Sequence, residues 1–356
     1  MLYDVLISVL LAEIGILGAG LGFIFGHAAL RQVRAARLRP DMRVSMDILA
    51  RVLAGSPDPP PLPRLPLDKA IEAVAAATRS VDDAGRARLA QLPAYVALTE
   101  RSVRWCTSPR WPRRLKGVRL LVILGAGHTT VPLLLEDPRP EVRSAAAVWA
   151  VNHPSPQVTT RLVQMLGDEA LACRLTAQDA LIRMGRHAVP AIIGHLSEAV
   201  PAALATALLV ASRVRDSALA GPALEHRNHS DPAVRAAVAQ VLASGGGTDG
   251  VEGLEGFLAD PAAAVRTAAA AGLGALGHWP SSPLLADRLG DPAWEVRRAA
   301  GLALDRLGGP GQLYLQRALH SPDRFARDMA QQVLDRAGPG RGRPTPAAFA
   351  MKRQEE

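Results

Sequence analysis

One short phrase returns through most of this chain, and its regular return is the strongest constraint on the fold. The clearest copies are Asp137-Pro-Arg-Pro-Glu-Val-Arg143, Asp260-Pro-Ala-Ala-Ala-Val-Arg266 and Asp291-Pro-Ala-Trp-Glu-Val-Arg297. Looser ones are Asp168-Glu-Ala-Leu-Ala-Cys-Arg174, Asp231-Pro-Ala-Val-Arg235, Ser321-Pro-Asp-Arg-Phe-Ala-Arg327 and Ser108-Pro-Arg-Trp-Pro-Arg-Arg114. From Arg143 to Arg327 the closing arginines are spaced by 31, 61, 31, 31 and 30 residues, so the double gap holds a worn copy near Ala205. A fixed period in this range builds an array of stacked units, each touching only its neighbours. Such an array grows without a central core, so length sets no domain count here.

Each unit reads as a helix pair. Asp or Ser followed by Pro marks a helix start: the side-chain oxygen accepts free first-turn amides, and proline suits the first helical position. In the copy at 291, Glu295 adds a carboxylate near the positive end of the helix dipole. Val296, Ala299, Ala300, Ala303, Leu304 and Leu307 then recur at helical spacing. Gly308 and Gly309 end that helix, and Gly185, Gly245, Gly277 and Gly338 are equivalent stops. A shorter, more apolar second helix follows, as in Val189-Pro-Ala-Ile-Ile-Gly-His-Leu196. One such pair cannot bury both apolar faces, so it must stack on the next.

The order Asp-Pro-x-x-x-Val-Arg, an Ala-rich stretch, Leu-Gly, Val-Pro and a Leu-rich helix resembles HEAT repeats. With a period near 31 it is most similar to the short subclass first associated with phycobilin lyases. The resemblance covers 108–338 and implies an all-α fold, an α-solenoid of stacked helix pairs. It also implies that aspartates and arginines pair between neighbouring units. That ladder would use Asp137, Arg143, Asp168, Arg174, Asp231, Arg235, Asp260, Arg266, Asp291 and Arg297. For function it implies binding more than catalysis, with a lyase-like enzyme or chaperone-type lyase subunit as the alternative.

Ahead of the array stands a different kind of segment. From Val5 to Leu30 the one formally charged side chain is Glu13, and about 20 apolar residues suffice to cross a bilayer. Met1-Leu-Tyr-Asp4 precedes the run, and Arg31, Arg34, Arg37 and Arg39 follow it. A cleaved signal peptide would want the reverse order of charge. The positive-inside rule therefore predicts a single transmembrane helix over 1–30 with its N-terminus outside and the repeats cytoplasmic, at the cell membrane. Gly18, Gly22 and Gly26 share one face of that helix, a spacing that lets a second helix approach closely. Glu13 in the outer half is costly unless paired, so the helix is expected to meet another membrane helix.

A basic juxtamembrane segment follows over 31–54, with Val44, Ile48, Val52 and Leu53 on one helical face. Residues 55–66 carry six prolines from Pro57 to Pro66, which predicts a semi-rigid linker. Helical patterns at 67–107 read as an N-terminal cap, and 339–356 as a disordered tail. Net charge is +8, with +4 over 31–51 and +7 over 101–135, leaving −3 for the rest. The second patch holds Arg101, Arg104, Arg110, Arg113, Arg114, Lys116 and Arg119 around Trp105 and Trp111. It suits anionic lipid; the slightly acidic remainder and the expected tether disfavour nucleic acid.

Catalytic and metal chemistry finds little footing. Cys106 and Cys173 lack metal-ligand spacing, and His226 and His229 sit in a turn-like stretch without thiol company, weak evidence for a metal site. Gly245-Gly-Gly247 follows a helical pattern rather than the strand a phosphate loop needs. The expectation is therefore a non-enzymatic scaffold without cofactor or metal that holds a partner protein at the membrane, for example a membrane enzyme or transporter. Its binding surface is expected on the second helices, through Arg161, Gln164, Glu252, Glu255, Arg288, Gln312 and Gln316.

Overall fold

The computed structural model describes residues 40–56, 59–78, 82–198, 201–245 and 247–337. The expected membrane helix over 1–30, with Glu13, Gly18, Gly22 and Gly26, lies outside the described residues, as does the tail at 339–356. Among the described residues no helix is long and apolar enough to cross a membrane, and no strand occurs. The chain divides into two compact units, Met1–Thr130 and Val131–Glu356.

In the first unit, α1 (40–53), α2 (Leu67–Thr78), α3 (Asp83–Ala90), α4 (Pro93–Cys106) and α5 (Trp111–Leu124) enclose one apolar cluster. Ile48, Leu49 and Val52 of α1 join Val74, Leu98 and Leu124 there. Val44, expected on the same face, is instead 50% exposed, and the buried residue beside it is Ser45. The Pro-rich segment departs from a free spacer: Leu62 and Leu65 pack against the cluster. Proline removes backbone donors and holds the chain extended, which leaves the interleaved leucines free to dock. Tyr95 donates its hydroxyl to the Leu124 carbonyl at 2.7 Å. Burial raises its pKa above the ordinary tyrosine value. α4 and α5 touch where Gly117 faces Cys106; a Cβ there would lie 2.6 Å from the Ser102 carbonyl oxygen.

The second unit is a two-layered stack. Its first layer is α6 (Pro140–Ala150), α8 (Leu171–Met184), α10 (Pro201–Val214), α12 (Pro232–Gly245), α14 (Ala263–Leu276), α16 (Trp294–Arg306) and α18 (Arg324–Ala337). Each packs on the next, so the worn copy near Ala205 is a full member of the stack. The second layer is α7 (Pro156–Gln164), α9 (Val189–Glu198), α11 (Ala220–Leu224), α13 (Thr248–Phe257), α15 (Ser282–Asp287) and α17 (Gly309–Ala318). This is an α-solenoid, and small residues set its spacing: Ala146, Ala177, Ala207, Ala269 and Ala300 are fully or almost fully buried between helices.

The repeated phrase does its work at the joints. Arg143, Arg235 and Arg266 each grip the aspartate 25 residues on through two bonds. These are Nε and Nη2 to Asp168 at 2.8 and 2.7 Å, to Asp260 at 2.7 and 2.8 Å, and to Asp291 at 2.8 and 2.8 Å. Their Nη1 donates to a backbone carbonyl six residues back: Asp137, His229 and Asp260 respectively. Such bidentate charge-assisted pairs are the strong class of hydrogen bond.

Two expectations about the phrase need correcting. The aspartates at 137, 168, 260 and 291 are not N-caps; the helices begin three residues later, and Oδ1 accepts the amide two residues on, shaping the bend before the helix. Asp231 does sit directly before its helix and accepts the Ala233 amide at 2.8 Å, which removes it from the ladder. The residue in ladder register is His229: Arg235 bonds its carbonyl at 2.7 Å, and its Nδ1 accepts the Asp231 amide at 3.0 Å. The ladder also breaks twice. Arg174 donates to the carbonyls of Asp168 and Glu169 but pairs with no carboxylate among the described residues. Arg297 lies over the Phe325 ring at 4.5 Å instead.

Candidate functional site

Because the ladder uses the recurring charges internally, a binding surface must come from residues that do not recur. The second-layer groups expected to form it do not converge. Arg161 is tied to Glu136 and Gln164. Glu255 accepts the hydroxyl of Ser281 at 2.6 Å, and Ser281 in turn lies 2.7 Å from His278 Nδ1. That Ser281 is fully buried and donates to the carboxylate rather than to the imidazole, so the trio links α13 to the turn before α15. Glu252 lines separate hollows around α13, while Gln312 and Gln316 lie apart on α17.

The first layer carries a groove of about 680 Å³. It touches four successive first-layer helices: Ser212 and Arg213 of α10, with Arg215 just beyond it, Gln240 and Ser244 of α12, Thr267 and Ala271 of α14, and Arg306 of α16. The floor is alanine and glycine, because α12 and α14 meet where Gly272 faces Ala243; a Cβ on Gly272 would lie 2.9 Å from the Ala243 methyl. No acidic residue lines it. Arg213, Arg215 and Arg306 are all exposed, and none forms an ion pair among the described residues.

Arg215 was missed by sequence reasoning, although a signal existed. The first-layer helices α8, α14 and α16 run into positive-φ glycines at 185 (φ 56°), 277 (φ 68°) and 308 (φ 66°). At the end of α10 the same left-handed position is occupied by Arg215 with φ 59°, the one non-glycine with positive φ among the described residues. A side chain there costs about 1 kcal/mol or more. Strain of this kind tends to persist where function uses it, and the worn copy is where it occurs.

The first unit carries a second charged surface. Trp105 of α4 has Arg101 at 5.3 Å and Lys116 of α5 at 5.0 Å from its ring centroid. Arg113, Lys116 and Arg119 follow one another at three-residue spacing on α5, and all are exposed. Arg104 is also exposed and lies 3.9 Å from Glu100, while Arg110 is the N-cap residue of α5. Arg114 does not belong to this surface: it donates to the carbonyls of Ser108 and Pro109 at 3.1 Å, as the closing arginines of the second unit do. Trp111 is half-buried.

Neither cysteine is poised for chemistry. Both are free and buried, and burial pushes the Cys106 thiol up to about 11. His226 bonds the Leu196 carbonyl at 2.9 Å, and His229 is spent at the joint described above. Among the described residues no cluster of histidine, cysteine and carboxylates could hold a metal ion.

This stack of helix pairs, with joints closed by arginine and aspartate, defines a helical-repeat protein. Over the C-terminal part the chain matches the family model described as HEAT repeats, at residues 222–304 and 251–335. No curated protein sequence matches the chain. Among solved structures, importin beta is similar with a TM-score of 0.50 at 12% identity, over 75% of this chain and 44% of that one. The phycocyanin lyase complex of Nostoc sp. gives 0.36 at 20% identity over 59% and 95%. Human deoxyhypusine hydroxylase gives 0.29 at 21% identity over 68% and 94%. At these identities the likeness to importin beta concerns the fold alone.

Proposed function

We propose that this chain is a membrane-tethered HEAT-repeat scaffold that binds a partner protein without catalysis. The observation that carries the reading is the groove across α10, α12, α14 and α16, where Arg213, Arg215, Gln240 and Arg306 are exposed, while the recurring charges are consumed at the joints. In the proposed arrangement, residues 1–30 span the cell membrane once with the N-terminus outside, and the repeats lie on the cytoplasmic side. The glycine face at Gly18, Gly22 and Gly26 then packs on a helix of a membrane partner, an enzyme or a transporter. Replacing all three glycines with Leu should abolish recovery of that partner when the chain is purified from membranes in mild detergent. Unchanged recovery would refute lateral packing through this face.

A second reading is favoured by the cation-flanked Trp105. Arg101, Arg113, Lys116 and Arg119 would lie against anionic headgroups, each worth about 1 kcal/mol near such a surface. Two cations already lie over the indole, which disfavours base stacking and hence nucleic acid. A chain lacking 1–39 should float with vesicles containing phosphatidylserine at low salt, and Lys116→Glu with Arg119→Glu should abolish flotation. Equal flotation with neutral vesicles counts against this reading.

A further inference from the structure

We infer that the groove of the second unit binds an extended acidic peptide segment of a partner, read by Arg213 and Arg215 at one end and Arg306 at the other. The inference rests on the scaffold reading above and names the chemistry of what is held. Neighbouring packed helices lie roughly 8–10 Å apart, so the three steps from α10 to α16 span at most about 30 Å. An extended chain covers that in about nine residues at ~3.3 Å each. The groove therefore fits a strand-like segment with carboxylates near both ends.

Its lining matches such a ligand in three ways. Three guanidiniums and no carboxylate face it, and Arg engages carboxylates bidentately. The floor of Ala268, Ala271 and Gly272 lets a peptide backbone come close. Gln240, exposed midway along α12, offers one amide donor and one acceptor to that backbone, as extended-chain recognition requires.

The occupant is not a segment of this chain's own ends. Residues 339–356 hold Arg341, Arg343, Lys352 and Arg353 against Glu355 and Glu356, and residues 31–51 carry +4. Both would be repelled by the groove.

Arg215 separates binding from architecture. If it were structural, replacing it with Gly, the residue at this place after α8 and α14, would leave binding alone. If it is a ligand contact, Arg215→Gly keeps or raises thermal stability while affinity falls. The test uses the full chain in detergent and a fluorescein-labelled nine-residue peptide with two glutamates at each end and alanine and glycine between. Anisotropy is expected to report saturable binding that weakens with salt. Arg215→Gly and Arg306→Ala should each weaken it about tenfold, and Arg183→Ala, on the exposed face of α8, should not.

The inference is overturned if the peptide fails to bind, if a lysine-for-glutamate peptide binds equally, or if both arginine variants bind as the wild type does. It is also overturned if a short DNA duplex displaces the peptide at equal charge concentration, which would mark the groove as a nucleic-acid site. Partner recovery from membranes that survives Arg215→Gly with Arg306→Ala sinks this groove assignment while leaving the scaffold reading intact. Recovery lost in wild-type preparations sinks the scaffold reading itself.

Discussion

Asp291→Ala is expected to be the most damaging single change at the joints, lowering the unfolding free energy by about 3–5 kcal/mol. The Asp291 side chain is 2% exposed and that of Arg266 11%. Removing the carboxylate leaves a guanidinium enclosed beside α14 with two of its donors unmet. Arrays of this kind lose stability locally, since each unit leans on its neighbours. Urea denaturation followed by circular dichroism should therefore show an early transition rather than a uniform shift. Asp231→Ala, which removes only a cap at α12, should cost about 1 kcal/mol. Arg266→Met with Asp291→Leu should recover most of the loss, because a buried pair is worth little more than apolar groups filling the same space. A double variant as unstable as Asp291→Ala would mean that the pair fixes the joint geometry itself.

The same joints set the response to acid. The hydrogen bonds from Arg235 hold the Asp260 carboxyl below the ordinary value of 3.8. A carboxylate with a depressed folded pKa contributes its full stability above the unfolded value, about 3.9, and loses it as pH falls through the lower folded value. Unfolding should thus begin below about pH 4, and Asp260→Asn should flatten that limb of the stability profile. The arginines opposite, Arg143, Arg235 and Arg266, titrate above the ordinary guanidine range, so these ion pairs stay charged on both sides between pH 5 and 9.

Much of this was legible in the sequence because it is periodic. Arg143, Arg235 and Arg266 find aspartates at a constant offset, and constancy is what a single sequence displays best. Where a position was filled by chemistry of another kind, the pattern misled. His229 does with its ring nitrogen what aspartate does elsewhere with a carboxylate oxygen, so the nearby Asp231 was read in its place. The docking of Leu62 and Leu65 was hidden by the prolines around them, which report backbone conformation and not burial. The groove was illegible for a deeper reason. Where a hollow opens between neighbouring helices depends on small differences in side-chain bulk, and the eye goes to charged residues instead. Arg215 alone offered a clue, as an arginine where the copies at 185 and 277 have glycine.

Those bulk differences lead to an expectation of opposite signs for one chemical change. Gly274→Ala is expected to destabilise the second unit by up to about 2 kcal/mol. A Cβ at 274 would lie 2.6 Å from the Ala303 Cβ and 2.7 Å from its Cα, backbone that can yield only by moving α16 away from α14. Overpacking of this kind costs about 1–3 kcal/mol, and the roughly 1 kcal/mol that alanine gains over glycine in a helix offsets only part of it. At Gly194 in α9 a Cβ meets nothing within 4 Å, so Gly194→Ala keeps the whole propensity gain. Thermal denaturation should therefore move the midpoint down for Gly274→Ala and up for Gly194→Ala. If helix propensity dominated at both sites, both midpoints would rise. Adding Ala303→Gly to Gly274→Ala removes one of the two clashing atoms but not the Cα, so recovery should be partial. That partial recovery would show that the spacing of α14 and α16, and with it the reach from Arg215 to Arg306, is set by how closely backbones approach.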